Sequence, residues 1–144
     1  MQVLTKDRTV CEKIMSLVRF SHTKEPYKDL SSKIRHIYDI HIMLQDMEVS
    51  LFFNSQEFDQ MMALVANDDQ RSFRNNNSWL FTHPKEALIF KSPNLTWERI
   101  RAPYRGAFKD LVIGNLPEED ELVETLMRIS KRLAAMKWDP IQWS

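Results

Sequence analysis

Residues 31–47 read SSKIRHIYDIHIMLQDM, and this stretch decides the fold class. Ile37, Ile40, Leu44 and Met47 recur at intervals of three and four, the spacing that lines one side of an α-helix, and Ile34, Tyr38 and His41 lie beside them. Ser31 or Ser32 is placed to cap the first turn, because a serine hydroxyl can accept from a free amide there. Arg35, Asp39 and Asp46 fall on the opposite side. The spacing therefore predicts one amphipathic helix carrying a compact polar cluster of Arg35, His36, Asp39 and His41. Taken alone, Arg35 and Asp39 are an i,i+4 ion pair, worth about 0.2–0.5 kcal/mol when exposed.

Working outward, Val10, Ile14, Leu17 and Val18 give residues 9–22 one buried side, with Thr5 or Asp7 able to cap it. Glu12, Lys13, Ser16 and Arg19 form its polar side, read on composition as loose surface pairs. The segment HTKEPYKDL is a connector, since Pro26 disfavours helix at Glu25, and it returns the chain as an antiparallel helical hairpin. EVSLFF is a brief strand or a helical turn. Asn54 or Ser55 then starts a helix through Phe58, Met61, Met62 and Val65, which the asparagine run after Arg71 and Arg74 ends. ALIFKSP has the continuous apolar run of a short strand closed by Pro93, which periodicity alone does not separate from a helical turn. Further on, Ile100, Tyr104, Phe108 and Leu111 form the stripe of a helix starting near Pro103. Its cations, Arg99, Arg101, Arg105 and Lys109, alternate with aromatics in a pattern that can also bind nucleic acid. The last helix places Pro117 and EEDE at its positive end, Leu122, Leu126, Ile129 and Leu133 inside, and Arg128, Lys131 and Arg132 toward its negative end. The chain reads as an all-α bundle of about five helices with at most one short strand or hairpin, one domain over residues 1–144.

Composition bounds the function. Twenty basic and twenty acidic residues cancel, so no global field selects a nucleic acid or a membrane. Only Gly106 and Gly114 occur, which leaves no glycine-rich phosphate loop. Cys11 stands alone, excluding a disulfide framework and a cysteine-based zinc site. Together with the lack of a long apolar run, this points to a cytoplasmic chain without a membrane partner. A histidine–carboxylate metal site from His36, Asp39 and His41 with His22 or His83 fits poorly, because His36 and His41 are five apart and diverge on a helix.

Arg8-Thr9 followed by Glu12-Lys13, then a connector, then Ile34-Arg35-His36-Ile37-Tyr38-Asp39-Ile40, resembles the nucleotidyltransferase AbiEii/AbiGii toxin family over residues 8–44. The resemblance covers what would be the second, helical half of a family member. The family's catalytic domain lies earlier and carries a Gly-Ser motif and an Asp-x-Asp pair, neither of which occurs in this sequence. What the resemblance implies is transfer of a nucleoside monophosphate from a nucleoside triphosphate to an RNA or protein acceptor. Lys13 matches the lysine that contacts nucleotide phosphates, Asp39 the later active-site acid, and Arg35 precedes it in the same motif. The implied partners are the missing nucleotidyltransferase half, in cis or in trans, an antitoxin protein and RNA. Nucleotide and Mg2+ would belong to the completed enzyme, and the isolated chain is expected to be inactive without a cofactor of its own. The alternative is a non-catalytic helical interaction module, which expects an exposed apolar patch and no convergence of Lys13 with Asp39.

Overall fold

The computed structural model describes residues 6–72, 78–106 and 116–138. Among them are nine α-helices and no strand. The helices are α1 (Lys6–Phe20), α2 (Pro26–Ser31), α3 (Ile34–Met43), α4 (Met47–Phe53), α5 (Gln56–Ser72), α6 (Leu88–Lys91), α7 (Pro93–Ile100), α8 (Ala102–Arg105) and α9 (Glu119–Ala134). Two 3₁₀ turns, Ser78–Phe81 and Pro84–Glu86, lead from α5 to α6.

α1 is the inner helix, packed against both α3 and α5. The spacing of its apolar residues explains this: Val10, Cys11, Ile14, Met15, Leu17 and Val18 are all fully buried, and they occupy more of its circumference than a single stripe. Ile34, Ile37 and Ile40 of α3 meet this surface, and Phe58, Met62, Val65 and Ala66 of α5 close it. α9 seals the far side with Leu122, Leu126, Ile129 and Leu133, each fully buried. Its start is a capping box in which Glu121 Oε2 accepts from the Glu118 amide at 3.0 Å, so Pro117 lies just before the helix rather than in its first turn.

The predicted helix over 31–47 is divided. Ser31 and Ser32 do not cap it; their hydroxyls donate back to Tyr27 O (2.8 Å) and Asp29 O (2.6 Å), closing α2. Serine side chains compete with the backbone in this way wherever a turn is available. α3 then begins after Lys33, which contributes no side-chain cap. Its end is set by Asp46, whose Oδ1 accepts from the amides of Glu48 (2.9 Å) and Val49 (3.4 Å) and so starts α4. Met47, assigned by spacing to the apolar stripe, belongs to this new helix and is 76% exposed.

At the two segments where spacing leaves strand and helical turn open, the structure takes helix. EVSLFF lies in α4, with Val49, Phe52 and Phe53 buried. Asn54 and Ser55 close α4 with their side chains, which donate to Ser50 O and Phe52 O, while the Ser55 carbonyl accepts from the Phe58 amide at 3.2 Å at the start of α5. ALIFKSP contains α6, and Pro93 opens α7 rather than ending a strand, because proline lacks an amide that the first turn would leave unpaired anyway. Ile100 and Tyr104 are buried as expected, while Phe108, Lys109 and Leu111 lie outside the described residues, as does the Arg74 and asparagine segment. No described helix is long and apolar enough to cross a membrane.

Candidate functional site

α1 and α3 run antiparallel, and two ion pairs mark their register. Lys6 Nζ lies 3.0 Å from Asp46 Oδ2, and one heptad further in, Lys13 Nζ lies 3.2 Å from Asp39 Oδ2. The polar side of α1 is thus not a set of loose surface pairs. Glu12 does pair with its neighbour Arg8, at 3.3 Å, but Lys13 reaches across to α3 and Arg19 to Asp69 of α5 at 2.9 Å.

Asp39 is where the two sequence motifs meet. Its side chain is 27% exposed, that of Lys13 23%, so the pair is partly shielded yet open to a ligand. The same Oδ2 has Arg35 Nε at 3.8 Å, an i,i+4 contact whose arginine is 74% exposed. Between these two cations the closer and more shielded Lys13 is the stronger partner, since exposed pairs are weakened by solvent. Lys13, Arg35 and Asp39, the three residues selected from the sequence, therefore share one site.

His36, one turn before Asp39 on α3, gives the site its electrostatic character. Its Nδ1 is buried with no hydrogen-bond partner. Burial, and then the charges of Lys13, Lys33 and Arg19, push its imidazole down to about 4 against the opposing pull of Asp39. Lys33 and Arg19 also lie over the Phe20 ring, at 4.9 and 5.3 Å from its centroid. A neutral imidazole is surrounded by cations, an arrangement the sequence spacing of His36 and Asp39 does not reveal.

A family model for the nucleotidyl transferase AbiEii toxin of type IV toxin–antitoxin systems matches residues 1–126 of the 144. The chain belongs to this family. No curated protein and no solved structure matches it.

A metal ion is held in proteins by clustered histidine, cysteine or carboxylate side chains. Among the described residues no three or more His, Cys, Asp or Glu side chains gather in a way that could hold one. Of the other histidines, His41 and His83 have structural partners, whereas His22 Nε2 is buried without one. His41 Nδ1 is 2.7 Å from Thr125 Oγ1 and its Nε2 is 3.0 Å from Gln45, linking α3 to α9. His83 donates from Nε2 to Met136 O at 2.6 Å and accepts from the Lys85 amide at Nδ1. His22 is held below the usual imidazole range by burial.

Among the described residues of the cation-rich segment around α7 and α8, the aromatic rings of this AbiEii-family chain are not exposed for bases to stack on. Trp97 and Tyr104 are 3% and 4% exposed and pack edge to face. Trp97 Nε1 and Arg105 Nε both donate to Glu119, at 2.8 Å, along an open cleft of about 300 Å3. Burial pushes the Glu119 carboxyl up, but these two hydrogen bonds and the charges of Arg105 and Arg101 outweigh it and leave it below its ordinary range. Arg99 lies over the Tyr27 ring.

The neutral state of His36 has a measurable consequence. Its folded value lies below its unfolded value of about 6.5, so the unfolded chain takes up the proton first and stability falls as pH drops from about 6.5 toward about 4. In urea titrations between about pH 7.5 and about pH 5, His36→Leu removes part of that slope relative to wild type. Parallel slopes for the two proteins would show that His36 titrates normally in the fold.

Proposed function

We propose that this chain is the C-terminal helical part of an AbiEii-like nucleotidyltransferase and supplies Lys13 and Asp39 to a site completed by a segment carrying the Gly-Ser and Asp-x-Asp elements, in cis or in trans. The observation that carries this reading is the 3.2 Å approach of Lys13 to Asp39 across α1 and α3, between residues 26 apart in sequence. The interaction-module alternative expects these side chains to diverge.

The reaction is transfer of a nucleoside monophosphate from a nucleoside triphosphate to a hydroxyl on RNA or protein. The hydroxyl oxygen forms a bond to the α-phosphorus, the bond from that phosphorus to the pyrophosphate oxygen breaks, and the hydroxyl proton passes to the Asp39 carboxylate. Lys13, a compact cation on a flexible stem, offsets charge on the phosphates. Arg35 keeps Asp39 oriented. In a type IV toxin–antitoxin setting the activity is opposed by an antitoxin, and the reaction belongs to the cytoplasm.

The test is to combine the chain with its completing segment, add each α-labelled nucleoside triphosphate in turn, and follow label into RNA and protein. Label is expected in one acceptor class only when both parts are present. Equal labelling by the completing segment alone would remove this chain from the active site.

A further inference from the structure

The Lys13–Asp39 contact poses a difficulty for both residues. Lys13 is held by a carboxylate, so it does not present a free ammonium to a phosphate, and Asp39 is held by Lys13, so it is less available to a hydroxyl proton. The surrounding structure shows how the contact can open. α1 and α3 are fixed to each other by buried residues, Val10, Ile14, Ile37 and Ile40 among them, and by the second rung from Lys6 to Asp46. The Lys13 side chain has a four-carbon stem that can rotate without disturbing the helices. Both side chains remain about a quarter exposed, so an anion can reach the ammonium. Arg35, 74% exposed on the same side of Asp39, is a second cation within reach of an anion there. Once Lys13 leaves, Arg35 still lies 3.8 Å from the same Asp39 oxygen and keeps the carboxylate in place.

We propose that the Lys13–Asp39 ion pair is a latch: a triphosphate draws the Lys13 ammonium off Asp39, and Asp39 is released only when that ligand is bound. Binding of the nucleotide and readiness of the acid are thereby coupled, and the site rests in a closed state when empty. This inference rests on the proposed role of Lys13 as a phosphate contact. It adds that the carboxylate competes with the phosphate for the same ammonium.

Inorganic tripolyphosphate tests the competition on the 144-residue chain without any other component, by titration calorimetry at low ionic strength. Asp39→Asn is expected to bind tripolyphosphate roughly three- to tenfold more tightly than wild type, the weight of one partly shielded ion pair. Lys13→Gln is expected to bind more weakly, and adding Asp39→Asn to it is expected to change nothing further. Asp39→Ser provides the same readout should the new amide oxygen accept from Lys13, and thermal melts verify that each variant folds. An equal gain from Asp39→Asn with and without Lys13 would reduce the effect to a general field and overturn the latch. No gain from either Asp39 variant, with Lys13→Gln still weakened, would overturn the latch and leave Lys13 as a phosphate contact. Binding that ignores Lys13 altogether would overturn both.

Discussion

Asp39→Asn lowers nucleotide transfer by the completed enzyme by roughly 100- to 10,000-fold, the contribution of a placed general base, with little change in the melting temperature of this chain. The expectation follows from the geometry: Asp39 is partly exposed, sits on a short helix whose core residues are Ile34, Ile37 and Ile40, and has its own partners on only one oxygen. The asparagine keeps the shape and removes the proton acceptor. Lys13→Gln acts differently, raising KM for the nucleotide as well as lowering kcat, because an ammonium on the phosphates acts in binding and in the transition state. Arg35→Gln, at an exposed residue 3.8 Å away, has a smaller effect than either. Initial rates against nucleotide concentration separate the three. An Asp39→Asn enzyme with an unchanged kcat would show that the carboxylate only braces the helices.

The second large effect lies far from the site in sequence. Arg132→Ala destabilises the chain by about 3 kcal/mol, a fall of about 10 °C in melting temperature. The guanidinium is 14% exposed and donates to Phe53 O (2.7 Å), Ser55 O (2.9 Å) and the Asp59 carboxylate, while lying over the Phe58 ring. It pins α9 to the corner between α4 and α5, where Phe52, Phe53 and Phe58 pack edge to face. Removing it takes the guanidinium from the Phe53 carbonyl and the Asp59 carboxylate, leaves Ser55 O with only the Phe58 amide at 3.2 Å, and takes a cation off an aromatic face. Arg132→Lys restores the charge but not the planar fork, so it recovers less than half of the loss. Thermal melts of the two variants check this, and equal melting temperatures for Arg132→Ala and wild type would show that α9 is held by its apolar stripe alone.

Arg132 also shows where sequence reasoning stops. On α9 it reads as one of three cations at the negative end of a helix, since its partners lie 73 to 79 residues earlier and become visible only when α9 docks. The helices with strong periodicity, α1, α5 and α9, are apparent from spacing, because each buries a side that the pattern states directly. The division of residues 31–47 is not, because it depends on which backbone group a short polar side chain chooses. Ser31 and Ser32 bond backwards, Asp46 bonds forwards, and the apolar spacing runs through both points unchanged. Pro93 misled in a related way, since proline ends one element and opens another with equal ease. As for the site, Lys13, Arg35 and Asp39 stand out through their resemblance to family motifs. That α1 and α3 bring Lys13 to hydrogen-bond distance of Asp39 is a property of the register between two helices, set by buried isoleucines and valines rather than by the charged residues.

A chain proposed to complete a nucleotidyltransferase site built with another segment should be found with that segment in the cell. The most direct test is recovery of the chain at native level from its source, with mass spectrometry of whatever is attached or associated. The account predicts a polypeptide carrying Gly-Ser followed by Asp-x-Asp, joined to this chain or bound to it. Recovery alone, or only with proteins that lack those elements, would contradict it and leave Asp39 as a structural partner of Lys13 and Arg35.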